Sequence, residues 1–236
     1  MLDRVTTVAD AVRRFVHSGQ TLMVGGFGRG GVPFTTLEHL ANRASDYREL
    51  VLVKNDANEP GIGIDRLLKQ GQVAKLVATH IGLNPDFIAQ MNRGQIECEL
   101  VPQGIFAEKI RAGGAGIPAF LTDIGIGTEA AHGKRTCELD GKTLLVEPCL
   151  RGDVALICAD IVDRAGNAWW RGSNRNMCVV MGTACDRVIV EAHQIVDIGG
   201  LEPENVHLPS VFVDAVVPSG PLPHRAQHDL TNAQSD

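Results

Sequence analysis

The sequence predicts an α/β fold, a mostly parallel sheet flanked by helices with a mixed portion built on an antiparallel hairpin. Three observations carry that expectation. Aromatics are only 4% of the 236 residues while hydrophobic residues are 44%, so Val, Ile, Leu and Ala must fill the interior. Several apolar runs are continuous rather than alternating, as in strands buried on both faces. Those runs alternate with helix-period segments through the first half, the pattern of right-handed βαβ units. No linker is long enough to split the chain and no internal repeat is evident, so residues 1–218 are expected to form one domain.

Thr7 to Ser18 reads as a helix with the apolar stripe Val8, Ala11, Val12, Phe15 and Val16, stopped by Gly19. Thr21 to Val24 reads as a buried strand. The chain then turns through Gly25, Gly26, Gly28, Gly30 and Gly31, and a helix starts at Pro33 with Leu37, Leu40, Ala41 and Ala44 on one face. Two readings stay open for this stretch: an anion-sized site at a helix start, or a tight turn that binds nothing. Its spacing matches neither the dinucleotide fingerprint nor the phosphate loop.

Glu49 to Asn55 is the next buried strand. It ends in a polar, glycine-bearing loop, Asn55 to Gly63, at the carboxyl end of a strand, where α/β folds place ligands. A short helix (Ile64 to Gln70), a strand (Lys75 to Gly82), a helix (Pro85 to Arg93) and a strand (Glu97 to Gln103) follow. The helix Ile105 to Ala112 runs into Gly113, Gly114 and Gly116, which call for unusual backbone angles or close chain approach. Ile124 to Thr128 is a loop. From Lys134 the period changes: Thr136 to Leu139 and Lys142 to Glu147 form a hairpin on the Asp140-Gly141 turn. The second half continues with a strand over Asp153 to Val162, a turn at Asp163 to Asn167 and a short strand at Ala168 to Trp170. A helix over Met177 to Cys185, a strand at Arg187 to Glu191 and a last strand over Ser210 to Pro218 complete it. The polar tail, residues 219–236, is expected to be disordered.

The net charge of −6 argues against a nucleic-acid partner, which needs a basic face. No run approaches the roughly 18 apolar residues of a membrane span, and MLDRVTTVADAVRRF lacks an apolar signal core, so a soluble cytoplasmic protein is expected. Cys98, Cys137, Cys149, Cys158, Cys178 and Cys185 form no Cys-x-x-Cys pair, and most sit in apolar runs as reduced core thiols would. The histidines show no metal spacing. His80, at a strand end, stands out among them, with a hydrogen-bonded structural role as the simpler reading.

Taken together, the motifs resemble the A (α) chain of family I coenzyme A transferases. The carriers are Gly25-Gly-Phe-Gly-Arg-Gly-Gly-Val-Pro33, Val101-Pro-Gln-Gly104 and Ala107-Glu-Lys-Ile-Arg-Ala-Gly-Gly-Ala-Gly-Ile-Pro-Ala-Phe120. Arg164-Ala-Gly-Asn167, Arg171-Gly-Ser-Asn-Arg-Asn176 and Ile195-Val-Asp-Ile-Gly199 match in the second half. The resemblance covers nearly all of residues 5–217 in order and implies the CoA-transferase (NagB/RpiA-like) fold. Asn55-Asp56, Thr79-His-Ile-Gly-Leu-Asn-Pro85 and Leu139-Asp-Gly-Lys-Thr143 look most like the acetate/acetoacetate members, with succinyl-CoA:3-oxoacid and 3-oxoadipate members as near relatives. Ser18-Gly19 stands where the signature often has Asp-Gly. Lys54 and the segment Ala57 to Pro60 depart from the usual small-residue loop, which bears on acyl specificity.

The resemblance implies ping-pong exchange of CoA between carboxylates through a glutamate nucleophile. That glutamate belongs to a Ser-Glu-Asn-Gly motif on a B (β) subunit. The motif is absent here, so a B-subunit partner is implied and this chain alone is expected to be inactive. CoA enters as substrate; no cofactor and no metal are implied. Gln103 matches the family's oxyanion-stabilising glutamine: its amide offers two donors without a charge that would quench the carboxylate. On the residues alone, Gln103 reads equally as a strand-end cap. Asn55 aligns with a substrate-side asparagine. Asp56, acidic where relatives often have a second Asn, and Gly25, Gly26, Phe27 and Gly28 of the turn are the further substrate-side candidates. Arg171 and Arg175 read as a solvated or interface pair rather than a CoA contact. Two other functions fit the chain: a stand-alone domain binding a phosphorylated sugar or acting as a regulator, and one component of a CoA-thioester hydrolase.

Overall fold

In the computed structural model, which describes residues 2–221, the apolar runs lie side by side in one sheet. Helix α1 (Val8–Phe15) starts at Thr7, whose side chain accepts from the Asp10 N–H, and packs Ala11, Val12 and Phe15 inward. Strand β1 (Thr21–Val24) then enters the middle of the sheet, α2 (Phe34–Ala41) covers it, and β2 (Leu50–Lys54) pairs beside it in parallel. α3 (Asp65–Lys69), β3 (Val73–Ala78), α4 (Pro85–Asn92) and β4 (Glu97–Leu100) carry the same alternation to one edge.

Next, α5 (Gln103–Gly114) leaves the sheet for a separate antiparallel sheet of β5 (Ala119–Thr122), β6 (Thr136–Leu139) and β7 (Lys142–Pro148), in the order β5-β7-β6. The chain returns through β8 (Gly152–Asp163), which pairs with β1 on the side away from β2. The short β9 (Ala168–Trp169) lies antiparallel on β8. After α6 (Cys178–Ala184), β10 (Cys185–Val196) and β11 (Ala215–Pro218) finish the other edge. The order is β11-β10-β8-β1-β2-β3-β4, so the strand sequence reverses beside β1.

Both sheet faces are dry, which is why the strand runs are apolar throughout. Leu22, Leu52 and Leu76 point toward α1–α4, whereas Met23, Val53 and Val77 point toward α5 and α6, as the period of two requires. Among the described residues no helix is long and apolar enough to cross a membrane.

The hairpin and its Asp140-Gly141 turn stand as expected. Four expectations need correction. The α5 helix begins at Gln103, not Ile105, because Pro102 serves as its N-cap and Phe106 N–H already bonds the Pro102 carbonyl. It also runs through Gly113 and Gly114, where a Cβ would come within 2.2 Å of the Leu150 carbonyl oxygen and 2.3 Å of the Thr183 hydroxyl. The glycines there serve close chain approach. β5 is a strand that the sequence does not announce: it is four residues long, follows Pro118 directly, and is mostly half-exposed. Ser210–Phe212 is a 3-10 turn rather than strand, fastened by the Ser210 N–H to Asn167 Oδ1, and pairing begins only at Ala215. Of the tail, Ser219 N–H donates to the Ala192 carbonyl and Gly220 N–H to Thr35 Oγ1; residues 222–236 lie outside the described residues.

Candidate functional site

The carboxyl ends of β1, β2, β3 and β4 are adjacent, and one continuous hydrogen-bond chain crosses all of them. It starts in the glycine turn. Phe27 and Gly30 exchange backbone hydrogen bonds of 3.0 and 3.1 Å, so Gly28 and Arg29 form the tip of a tight hairpin. Gly31, at φ +70°, brings its backbone so near Asn174 that a Cβ would lie 2.6 Å from that residue's carbonyl oxygen. The glycines therefore pack the turn against the 3-10 segment Gly172–Arg175. Phe27 is exposed at the tip and, with Gly30 and Gly172–Asn176, lines a hollow of about 470 Å³.

The helix start behind this turn is already occupied. Glu191, 2% exposed, accepts from the Thr35 and Thr36 N–H groups at the first turn of α2, from Thr36 Oγ1 and from Ser219 Oγ. The chain's own carboxylate fills the anion position there. The open alternative thus resolves: the helix start is an anion site, and its anion is internal.

Gly28 N–H donates to Asp56 Oδ2 at 3.0 Å, tying the turn to the loop after β2. Asp56 is 3% exposed. Its Oδ2 also accepts from Asn55 Nδ2, and its Oδ1 from the Asn58 N–H and Asn58 Nδ2. Lys54 Nζ, fully buried, lies 3.3 Å from Oδ1 and has no hydrogen-bond partner among the described residues. Burial pushes the Asp56 pKa up, but the Lys54 ammonium and the donors of Asn55, Gly28 and Asn58 outweigh it and hold the carboxyl below its ordinary value. Burial lowers the Lys54 pKa, with Asp56 opposing. Both carboxylate oxygens are thus taken up by the protein, and no free oxygen faces a ligand.

Asn55, 3% exposed, presents its Oδ1 to Gln103 Nε2 at 2.7 Å. Thr79, just past β3, places its Oγ1 2.6 Å from Gln103 Oε1 and 2.8 Å from the Asn55 carbonyl oxygen. Gln103 itself is exposed at the first position of α5. One of its amide hydrogens is engaged by Asn55, and the other remains to donate outward. An uncharged donor is therefore held at its carbonyl end and at one N–H, with the other N–H presented at the carboxyl end of the sheet.

Of the sequence candidates, the structure brings Gly28, Asn55, Asp56 and Gln103 into one network. Gly25 and Gly26 lie at its base: a Cβ on Gly25 would meet Cys178 Sγ at 2.8 Å, and one on Gly26 would meet Val32. Phe27 stands at the rim. His80 extends the parallel pairing after β3, bridging Asp56, with its exposed ring against Gly82. Arg171 and Arg175 are exposed. The other acidic side chain of the loop, Glu59, pairs with Arg29 at 2.6 Å. Sequence reasoning missed Thr79 and Asn58; Thr79 was in view as part of a strand and Asn58 as a loop residue, but only the fold puts them beside Gln103 and Asp56. The six cysteines are free thiols, and burial pushes Cys178 up to about 11, far from a thiolate at neutral pH. Among the described residues no group of three His, Cys, Asp or Glu is placed to hold a metal ion. A second hollow, of about 620 Å³, lies between Leu2–Phe15 and Asp214–Ala215 at the β11 edge, and none of these residues lines it.

Comparison with known proteins adds the following. A family model described as Coenzyme A transferase matches residues 5–219. The chain is 42% identical over 210 residues to the A chain of the succinyl-CoA:3-ketoacid coenzyme A transferase of Xanthomonas campestris, covering 88% of this chain and 85% of that one. It is 40% identical over 219 residues to the alpha chain of the acetate CoA-transferase of Escherichia coli, covering 93% and 98%. The fold superposes with a TM-score of 0.81 on an acyl-CoA transferase of Escherichia coli O157:H7 in a thioester complex with CoA, at 24% identity and over 92% of this chain. This chain spans about half of that enzyme, 47% of its length.

Proposed function

Because the chain belongs to the coenzyme A transferase family, we propose that it is the A-type half of an enzyme that moves CoA between short-chain acyl-CoA or 3-oxoacyl-CoA and free carboxylic acids. The observation that carries this reading is the exposed Gln103 amide, held by Asn55 and Thr79, at a site whose own carboxylates are all engaged. A donor without a free nucleophile is half of an acyl-transfer centre. The other half, a glutamate, comes from the B subunit, in keeping with relatives whose names are those of single subunits.

The chemistry then runs as covalent exchange. The partner glutamate attacks the acyl carbon of the thioester. The tetrahedral intermediate expels CoA thiolate and leaves an acyl-glutamyl anhydride. The thiolate attacks the glutamyl carbonyl, releases the first carboxylate and forms an enzyme-CoA thioester. The second carboxylate reverses the sequence. Every tetrahedral intermediate carries an oxyanion, and the outward N–H of Gln103 is the donor this chain offers it. A side-chain amide does so without pairing with, and thereby quenching, the attacking carboxylate. The relatives named for 3-ketoacids and for acetate are nearly equal in identity, so both acid classes belong in the substrate set. A cytoplasmic location accompanies this reading.

The test is reconstitution. The chain is mixed with a B-type subunit of the family, and acetyl-CoA or succinyl-CoA is incubated with acetoacetate. Exchange is expected only in the mixture. Exchange by this chain alone, or none with any short carboxylate in the mixture, overturns the proposal. Free CoA released without an acceptor identifies a hydrolase instead.

A further inference from the structure

We propose that the Asp56 carboxylate is a positioning residue that fixes which end of the Gln103 amide faces the reacting centre, acting through Asn55 with Thr79 closing the chain. The inference rests on the reading of Gln103 as the oxyanion donor. It starts from a property of amides: their oxygen and nitrogen ends have nearly the same shape, so an Asn or Gln side chain keeps one orientation only where its neighbours have fixed polarity.

Asp56 supplies that fixed polarity. An ionised carboxylate only accepts, and this one is surrounded by donors: Gly28 N–H, Asn58 N–H and Asn58 Nδ2, besides the Lys54 ammonium. The only end of Asn55 that can face it is Nδ2, found 3.2 Å from Oδ2. Asn55 must then turn Oδ1 toward Gln103, and Gln103 must answer with Nε2, at 2.7 Å. The far end of the chain agrees. The Asn55 carbonyl already accepts from the Thr79 and His80 N–H groups, so the single hydroxyl proton of Thr79 is best used on Gln103 Oε1, 2.6 Å away. Reversing Asn55 would set oxygen against oxygen at Asp56 and donor against donor at Gln103, and reversing Gln103 would set its oxygen against Asn55 Oδ1; the Thr79 hydroxyl, which accepts as well as donates, opposes neither end. In the reversed state Gln103 would aim a carbonyl oxygen where the oxyanion forms. The buried Lys54 has a place in the same scheme: with its charge 3.3 Å away, Asp56 stays an acceptor.

The experiment uses the enzyme assembled with its B-type partner and a double variant, Lys54→Met with Asp56→Asn, which removes the ion pair together and leaves no lone buried charge. An asparagine at this position has no defined polarity to pass on. The expected result is a fall in kcat of about ten- to a hundred-fold, with KM for either acid changed less than about threefold. On a Gln103→Ala background the same pair of substitutions should cost nothing further, because the residue it acts through is gone. An equal loss on both backgrounds marks a merely structural role, and wild-type kcat in the double variant removes the relay; either overturns the proposal. If Gln103→Ala alone retains wild-type kcat, the oxyanion reading has failed instead. The relay is then decided on the full-length chain with 15N-labelled glutamine: the Gln103 amide proton on Asn55 should be shifted and exchange-protected, and should lose both properties in the double variant. Retention of both there overturns the relay. Should the double variant not assemble, Thr79→Val is read in the same cycle, with about a three- to tenfold loss expected only when Gln103 is present; no loss in the presence of Gln103 overturns the chain.

Discussion

Asp56 and Glu191 are two buried carboxylates in similar company with different outlets. Each is almost sealed from water and each gathers backbone N–H and side-chain donors from distant segments. Among the described residues Glu191 accepts only from neutral groups, at the head of α2, and its network ends there. Asp56 has a cation beside it, and its network runs outward through Asn55 to an exposed amide. The contrast separates two uses of one chemistry. A carboxylate that closes a set of donors holds the fold; one that passes polarity along a row of amides prepares a site.

That distinction can be broken at three points. The largest effect is expected at the exposed end. Gln103→Ala should lower kcat of the assembled enzyme about 10²- to 10³-fold, the range for one oxyanion donor, while leaving unfolding temperature and assembly intact; steady-state kinetics beside a melting curve checks both. The next largest is at the sealed end. Glu191→Ala leaves the α2 donors and Ser219 without their acceptor and should cost about 3 kcal/mol of stability. For a chain of this size that is roughly a 6–12 °C fall in Tm, with kcat per folded molecule unchanged. A large kcat effect without a stability loss would erase the contrast. The smallest is a pH effect. The folded pKa of Asp56 lies below its unfolded value, so its share of stability is fully present above the ordinary carboxylate range and is lost as pH falls through the folded pKa. Protonating it also strands the Lys54 ammonium. Acid titration of the unfolding free energy should therefore be shallower in the Lys54→Met, Asp56→Asn variant than in the wild type. Identical acid limbs would mean the pair carries no such share.

Most of the fold was legible because a sheet buried on both faces writes long apolar runs, and Leu50–Lys54 and Gly152–Asp163 are unmistakable for that reason. β5 was not legible: its four residues, only partly buried, are too short a run to stand out beside those. The start of α5 was hidden because Pro102-Gln103-Gly104 reads as the end of a strand, and only the Phe106 N–H reaching back to Pro102 reveals the cap. In the site, the residue types said that Asn55 and Asp56 end a strand, but the role of Gln103 came from family resemblance alone. Thr79 next to Gln103 and Glu191 under α2 depend on pairings 24 and 155 residues apart in the chain, which no local pattern encodes.

The Lys54–Asp56 pair also constrains how this loop can vary by descent. The charged loop of this chain has an uncharged counterpart, a neutral residue at position 54 with an asparagine at position 56. A path between them that changes one position at a time passes through a lone charge sealed in the interior, at a cost of about 3–5 kcal/mol. The two positions should accordingly be inherited as a unit: lysine with aspartate, or neither.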